Sequence, residues 1–228
     1  MNWSDAINDF NDYLKIERGF SMNSISSYKE DISKFNKFID NSKSPLEVSS
    51  DDIKEFLQKI SKEMNSSSQS RIISGLRSFF EFLIFEKYIS QNPLRLIESP
   101  KISRKLPDTL SIEEIDLLIS NLDLSKEQGE RNLAIIELLY GCGVRVSELI
   151  DLKISDLFFN ENFIKVTGKG NKQRLIPIGN ITKQNVNNYL QNSRNKIKVV
   201  SAFNDHVFLN RRGKNLTRAM IFTIVKNL

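Results

Sequence analysis

Gly141-Cys-Gly-Val-Arg-Val-Ser-Glu-Leu-Ile150 is a two-glycine turn that leads into a helix, and Gly168-Lys-Gly-Asn-Lys172 is a second glycine-rich turn. Glycine tolerates positive φ, so the first segment predicts a sharp exit from one helix and an immediate entry into the next. Arg145 lies at the mouth of that second helix, where we expect Ser147 to cap it and Glu148 to occupy its first turn. The two segments together predict a fixed guanidinium on a turn and a mobile ammonium at a hairpin tip.

The flanking sequence predicts a domain of helices with one small sheet. Ser111-Ile-Glu-Glu114 is a capping box, and residues 131–140 form an apolar helical run. Phe163-Ile-Lys-Val-Thr167 and Arg174-Leu-Ile-Pro-Ile178 are β-rich runs around the second turn, a pattern typical of a hairpin. Later segments predict a helix over 182–197, a short strand over 207–209 and a final helix over 217–227.

The first 90 residues predict a separate bundle of four helices. Apolar residues recur at helical spacing in four segments, each entered through Ser or Asn, and short loops favour antiparallel packing. The longest apolar stripe comprises Ile72, Ile73, Leu76, Phe79, Phe80, Leu83 and Ile84. The predicted fold class is therefore mainly α with a small β-hairpin or sheet.

A linker is predicted over residues 91–107, between the bundle and a second domain over 108–228. Three prolines in this stretch prevent a helix and favour an extended tether. Lys101, Arg104 and Lys105 lie between them, placed to follow a phosphate backbone. The alternative is that they only keep an exposed linker soluble.

Charge is divided unevenly along the chain. From residue 163 onward there are 13 Lys and Arg side chains and one acid, Asp205, whereas the residues before 163 carry a net charge of −7. Such a division predicts contact with nucleic acid or an anionic surface, although a solvated surface is the alternative.

Cys142 is the one cysteine, which excludes an internal disulfide and a multi-cysteine zinc site and favours a reducing cytoplasm. No apolar run is long enough to span a bilayer.

Arg145 is a candidate phosphate ligand. A guanidinium on a tight turn can bond two non-bridging phosphate oxygens at once, and its charge matches the charge that develops during phosphoryl transfer. The alternative is an arginine that pairs with Glu148 or Glu137.

Lys169 is a candidate proton donor. Lys172 and Arg174 lie close to it in the sequence, and neighbouring positive charge makes an ammonium a better acid. We assign it protonation of a departing 5′ oxygen; the alternative is a turn that only touches phosphates. The turn is not a P-loop, because the chain contains no Gly-x-x-x-x-Gly-Lys-Ser/Thr.

On these residues the chain resembles the tyrosine recombinases, the phage-integrase-like family, and most closely its Xer branch. Residues 143–149 and 166–178 match the family's first-arginine and lysine-hairpin motifs. Residues 21–28 are similar to its core-binding domain, and 105–111 to the start of its catalytic domain. Residues 207–217 resemble the segment before its second active-site box.

The resemblance implies a four-helix, SAM-like core-binding domain followed by an α+β catalytic domain. It also implies a mechanism: a tyrosine attacks the scissile phosphate, forms a 3′-phosphotyrosyl link and frees a 5′ hydroxyl, without metal, ATP or another cofactor. Arg145 is then the first catalytic arginine, Lys169 the catalytic lysine and Glu148 the acidic residue that supports the arginine.

The implied partner is double-stranded DNA, held by two lobes in a C-shaped clamp. Ser24, Ser27, Arg71, Arg77, Lys172 and Arg174 are the candidate DNA-binding residues, with exposed polar faces as the alternative for each. The resemblance further implies a second recombinase protomer in a homo- or hetero-tetramer, a DNA translocase as a further partner, and no membrane.

The chain departs from the family pattern in its later motifs. A His-x-x-Arg box, a further His or Trp and the nucleophilic tyrosine have no match here; His206 precedes Val-Phe-Leu, and the five tyrosines read as structural. We therefore expect a C-terminally truncated catalytic domain that does not cleave DNA alone. Chromosome-dimer resolution at cell division is the leading role. The alternatives are an integrase or transposase of a mobile element, or a truncated DNA-binding protein without catalysis.

Overall fold

A computed structural model describes residues 1–39, 43–102 and 106–228. The chain divides into two compact units, Met1–Leu106 and Pro107–Leu228, which we call the N-terminal and C-terminal units. No helix in the described ranges is both long and apolar enough to cross a bilayer.

The N-terminal unit is built from four α-helices in the part that is described: α1 (Trp3–Asp12), α2 (Met22–Ile39), α3 (Ser50–Ser61) and α4 (Ser66–Phe85). A π-helical turn extends α1 to Glu17. Asn2, Ser49 and Asn65 accept hydrogen bonds from first-turn amides at the starts of α1, α3 and α4, as polar entry residues predict.

Aromatic side chains fill the core of this unit. Trp3 packs edge-on against Phe35 with ring centroids 5.8 Å apart, and Phe10 packs edge-on against Phe79 at 5.5 Å. All four rings are buried, and the apolar stripe of α4 faces them.

Of the basic linker residues, Lys101 is exposed, while Arg104 and Lys105 lie outside the described residues.

The C-terminal unit combines helices with a small antiparallel sheet. The helices are α5 (Ile112–Ser120), α6 (Gly129–Gly141), α7 (Val146–Asp151), α8 (Asn180–Asn188) and α9 (Arg218–Lys226). The strands are β1 (Leu157–Phe158), β2 (Phe163–Thr167) and β3 (Gln173–Pro177), in spatial order β1-β2-β3. Thr167 pairs with Gln173, so the turn between them, which contains Lys169, closes the predicted hairpin. The mainly α fold with a small sheet is confirmed.

Two predicted elements differ from the structure. The helix predicted over 182–197 is α-helical only to Asn188 and continues through π and 3₁₀ turns to Lys196. The strand predicted over 207–209 is wrong, because single bridges at His206 and Leu209 are all that is described there. Side chains satisfy part of this backbone: Arg194 donates to the His206 carbonyl, and the Leu209 N–H donates to the Tyr189 hydroxyl. The Val207 N–H donates to the Leu152 carbonyl.

Candidate active site

Arg145 lies on a short turn between α6 and α7. Gly143 has φ of +57°, a conformation that glycine adopts without a Cβ penalty and that redirects the chain toward α7. Arg145 itself is the N-cap residue of α7, which corrects the expectation that Ser147 would cap this helix. The turn therefore fixes the backbone of Arg145 at the start of a helix.

Glu148 holds Arg145 from the third position of α7. Its Oε2 accepts the backbone N–H of Arg145 at 2.8 Å, and its Oε1 accepts Arg145 Nη1 at 2.9 Å. Glu137, the other acid considered for Arg145, instead accepts from Thr182 and Asn185. The Arg145 side chain remains 71% exposed, so most of its guanidinium faces solvent.

Arg174 on β3 binds the same carboxylate with both ends of its guanidinium. Its Nη1 lies 2.5 Å from Glu148 Oε1, and its Nη2 lies 2.8 Å from Oε2. The Glu148 side chain is 1% exposed. These Arg174 bonds, helped by the bonds from Arg145, lower the pKa of Glu148 from 4.5 to about 2 despite its burial. The carboxylate is therefore ionised throughout the neutral range.

Gly168 lets the hairpin approach this carboxylate. A Cβ built on Gly168 would lie 3.0 Å from Glu148 Oε1 and 3.7 Å from Arg174 Nη1. Because the φ of Gly168 is −100°, the requirement for glycine is one of space and not of backbone conformation. The hairpin and the turn that carries Arg145 thus meet at one buried acid, Glu148.

Lys169 and Lys172 lie on the turn that follows Gly168. Gly170 has φ of +73°, and the Gly168 N–H donates to the Lys172 carbonyl at 2.8 Å, which closes the turn. Both lysine side chains are exposed, and neither makes a side-chain hydrogen bond or ion pair with any described residue. Two ammonium groups are thus available on the hairpin that Arg174 fastens to Glu148.

Sequence reasoning missed the role of Arg174 as a carboxylate ligand. The sequence predicts Arg174 and Lys172 as DNA contacts, and in the structure Glu148 binds Arg174 but not Lys172. The sequence held a signal, because Arg174 and Ile176 are two residues apart and therefore share one face of a strand. In the structure both are half-buried while their neighbours on β3 are exposed.

The candidate DNA contacts of the N-terminal unit have partners within that unit. Ser24 lies 3.0 Å from Ser21 through their hydroxyls, and Ser27 donates to the Asn23 carbonyl. Their hydroxyls therefore already take part in local hydrogen bonds near the start of α2.

The two candidate arginines of this unit are also bonded. Arg71 pairs with Asp31 at 2.8 Å, and Arg77 donates to the Ile97 carbonyl at 2.8 Å. Burial raises the pKa of Asp31, although Arg71 opposes this effect. Arg71 remains half-exposed and can still face a ligand.

The tyrosines are distributed over both units. Tyr13, Tyr28 and Tyr88 belong to the N-terminal unit, and Tyr189 is fully buried in the core of the C-terminal unit. Tyr140, near the end of α6, is half-exposed.

Among the residues that the structure describes, no three His, Cys, Asp or Glu side chains are grouped to hold a metal ion.

Two family models match the chain. The model "Phage integrase family" matches residues 108–228, and the model "Phage integrase, N-terminal SAM-like domain" matches residues 7–87. The C-terminal match alone spans more than half of the 228 residues.

Curated relatives extend the similarity over nearly the whole chain. The tyrosine recombinase XerD of Oceanobacillus iheyensis is 40% identical over 227 residues, which are 98% of this chain and 76% of the relative. XerD of Listeria innocua is 37% identical over 229 residues, which are 99% of this chain and 77% of the relative. The chain thus spans about three quarters of the length of these relatives.

Solved structures show the same fold. A lambda integrase dimer bound to a COC′ core site superposes with a TM-score of 0.76 at 16% identity, covering all of this chain and 62% of the integrase. XerH bound to a palindromic difH substrate superposes with a TM-score of 0.75 at 23% identity, covering 97% of this chain and 66% of XerH. With the family models and the XerD relatives, these matches establish that the chain belongs to the phage integrase family of tyrosine recombinases.

Proposed function

We propose that Arg145 and Lys169 are the two catalytic groups through which this chain acts on a DNA phosphodiester in Xer-like site-specific recombination. The observation that carries the proposal is the shared carboxylate of Glu148. It binds the Arg145 turn directly and binds the Lys169 hairpin through Arg174, while Arg145 stays 71% exposed. A buried acid that organises two exposed cations suits a phosphate placed between them.

Each residue has a distinct role in this proposal. Arg145 bonds two non-bridging oxygens of the scissile phosphate and stabilises the charge that develops on them. Lys169 protonates the departing 5′ oxygen, which its exposed position at a hairpin tip allows. Glu148 supports Arg145 and keeps its guanidinium oriented, and Lys172 contacts a neighbouring phosphate.

The proposed partner is double-stranded DNA together with further recombinase protomers. One similar structure is a lambda integrase tetramer bound to a Holliday junction, and another is XerH bound to difH. In our assignment residues 1–90 form the core-binding domain, 91–107 the linker and 108–228 the catalytic domain. The role that we propose is resolution of chromosome dimers in the cytoplasm, with a DNA translocase as a further partner. The similarity to the tyrosine recombinase XerD over nearly the whole chain supports the Xer-like part of this proposal.

A chimera tests the catalytic roles. Residues 1–228 are joined to the part of Oceanobacillus iheyensis XerD that this chain does not match, and a nicked suicide substrate traps the covalent protein–DNA adduct. We expect Arg145→Ala to reduce adduct formation by a factor of about 100 or more, because it removes a group that stabilises the transition state. Binding to the intact site, measured by gel shift, should weaken by less than about tenfold.

A matched variant controls for loss of charge. Lys126→Ala removes one positive charge from an exposed Lys126–Asp123 pair in the same unit and should leave adduct formation within about twofold of the parent. If Arg145→Ala and Lys126→Ala form adduct at the same rate, Arg145 is not a catalytic residue.

A further inference from the structure

Arg131, in the first turn of α6, is a buried cation that forms no ion pair with an acid in the described part of the chain. Its side chain belongs to the buried set at 5% exposure. Its guanidinium donates to the Leu209 carbonyl at 3.1 Å, to Gln128 Oε1 at 2.8 Å and to Asn132 Oδ1 at 3.0 Å. All three acceptors are neutral, so hydrogen bonds are supplied but negative charge is not.

Two buried acids, Asp31 and Glu148, are balanced by opposite charge, whereas buried Arg194 is bonded to carbonyls. Asp31 faces Arg71, and Glu148 faces two arginines, whereas no described carboxylate forms an ion pair with Arg131. Burial lowers the pKa of Arg131 and nearby Arg211 adds to this effect, while Tyr189 and Glu127 oppose it. A buried charge without an ion-pair partner is costly, so this position favours an anion.

A cavity of about 110 Å³ lies against Arg131. Lys196, Lys198 and Arg211 also line it, and Glu127 is the one carboxylate among its lining residues. Four basic groups against one acid leave a surplus of positive charge around a small space. The volume exceeds what one water molecule needs.

Tyr189 also lines this cavity, and its hydroxyl group has an unused donor. Its ring is fully buried, and its hydroxyl oxygen accepts the Leu209 N–H at 3.2 Å. The hydroxyl proton has no acceptor among the residues that the structure describes, although buried donors are normally paired. Arg194 is also buried and bonded to carbonyls, but it does not line this cavity.

We propose that this cavity binds free inorganic phosphate or a terminal phosphomonoester. A dianionic phosphate group supplies the negative charge that Arg131 lacks and an acceptor for the Tyr189 hydroxyl, while Lys196, Lys198 and Arg211 balance its second charge. The small volume favours a terminal group over a phosphodiester within a duplex, because the diester carries a nucleoside on both sides. The site is separate from Arg145 and does not depend on the proposed catalytic roles.

The test titrates the 228-residue chain with inorganic phosphate at constant ionic strength, by calorimetry and by thermal unfolding. We expect saturable binding and a melting temperature that rises with phosphate concentration. The double variant Lys198→Gln, Arg211→Gln should weaken phosphate binding by about tenfold or more. Both side chains are exposed, so these substitutions should leave the fold intact.

A matched pair of substitutions separates this site from general surface charge. Arg212→Gln with Lys214→Gln removes the same amount of charge, from the turn that carries Arg211, but these two residues line the neighbouring larger cavity and not this one. Phosphate affinity in this pair should stay within about twofold of the parent.

Three outcomes overturn the proposal. The first is phosphate binding that does not saturate at constant ionic strength. The second is equal loss in both double variants, which indicates diffuse electrostatics. The third has two parts: a blunt duplex without terminal phosphates displaces the bound phosphate, and the Lys198→Gln, Arg211→Gln variant loses affinity for that duplex. Together these two results would assign the cavity to a DNA backbone.

Discussion

At the scale of single residues, hydrogen bonds from two arginines allow the Glu148 carboxylate to be buried in its ionised form. An ionised carboxylate accepts about four hydrogen bonds, and Glu148 receives four, two from Arg145 and two from Arg174. Each arginine keeps further N–H groups free for other acceptors. The acid is thus satisfied in full, while the cations that it orients remain able to bind a phosphate.

Glu148→Gln should destabilise the C-terminal unit. The neutral amide loses the charge-assisted bonds from both arginines, and its NH₂ group faces their donors, so we expect a loss of about 1–3 kcal/mol in the free energy of unfolding. Urea unfolding followed by far-UV circular dichroism measures the loss. Glu161→Gln, at an exposed position without a described side-chain partner, is the control and should change stability by less than about 0.5 kcal/mol.

The pH dependence of stability should carry the signature of Glu148. Its pKa is about 2 in the folded protein and near 4.5 when unfolded, so its contribution is fully present above about pH 4.5 and is lost as the pH falls toward 2. The difference in unfolding free energy between the parent and Glu148→Gln should therefore shrink between pH 5 and pH 2. A difference that stays constant over this interval contradicts the assignment.

At the scale of elements, the hairpin is fixed to α7 through Gly168. Gly168→Ala places a methyl group 3.0 Å from Glu148 Oε1, and the Glu148–Arg174 pair must then shift. We expect a loss of about 1–2 kcal/mol, within the range for overpacking of a close contact. Gly179→Ala is the control, since its Cβ meets no atom within 4 Å and its φ of −73° suits alanine. Equal effects of the two substitutions would show that the contact is unimportant.

Elements whose signal is local could be predicted from the sequence, and elements that depend on distant side chains could not. The hairpin and the helices follow from periodicity and turn residues that lie within each segment. Residues 207–209 have the composition of a strand, yet Arg194 and Tyr189 take up hydrogen bonds that a neighbouring strand would provide. The pairing of Arg174 with Glu148 joins residues 26 apart and is equally invisible to local patterns.

At the scale of the whole molecule, family resemblance gave more of the candidate site than composition did. The turns alone make Arg145 and Lys169 candidates, and the family resemblance gives them catalytic roles and adds Glu148. The structure places Arg145 and Glu148 in contact and Lys169 on the adjoining hairpin. The excess of positive charge after residue 163 indicated an anionic partner without indicating where it binds. Buried Arg131 was missed altogether, because burial of a charge is a property of the fold and not of a motif.

The affinity of the chain for duplex DNA should fall steeply with salt. Each phosphate that a Lys or Arg neutralises releases counterions and contributes about −0.9 to the slope of log K against log salt concentration. Lys172 is exposed and has no described side-chain partner, so Lys172→Ala should reduce the size of the slope by about 1, measured by fluorescence anisotropy from 50 to 300 mM salt. Lys126→Ala removes the same charge from an existing Lys126–Asp123 ion pair and should leave the slope unchanged. Affinity that does not vary with salt would exclude phosphate contacts as the basis of binding, and equal slopes in the two variants would remove Lys172 from the DNA interface.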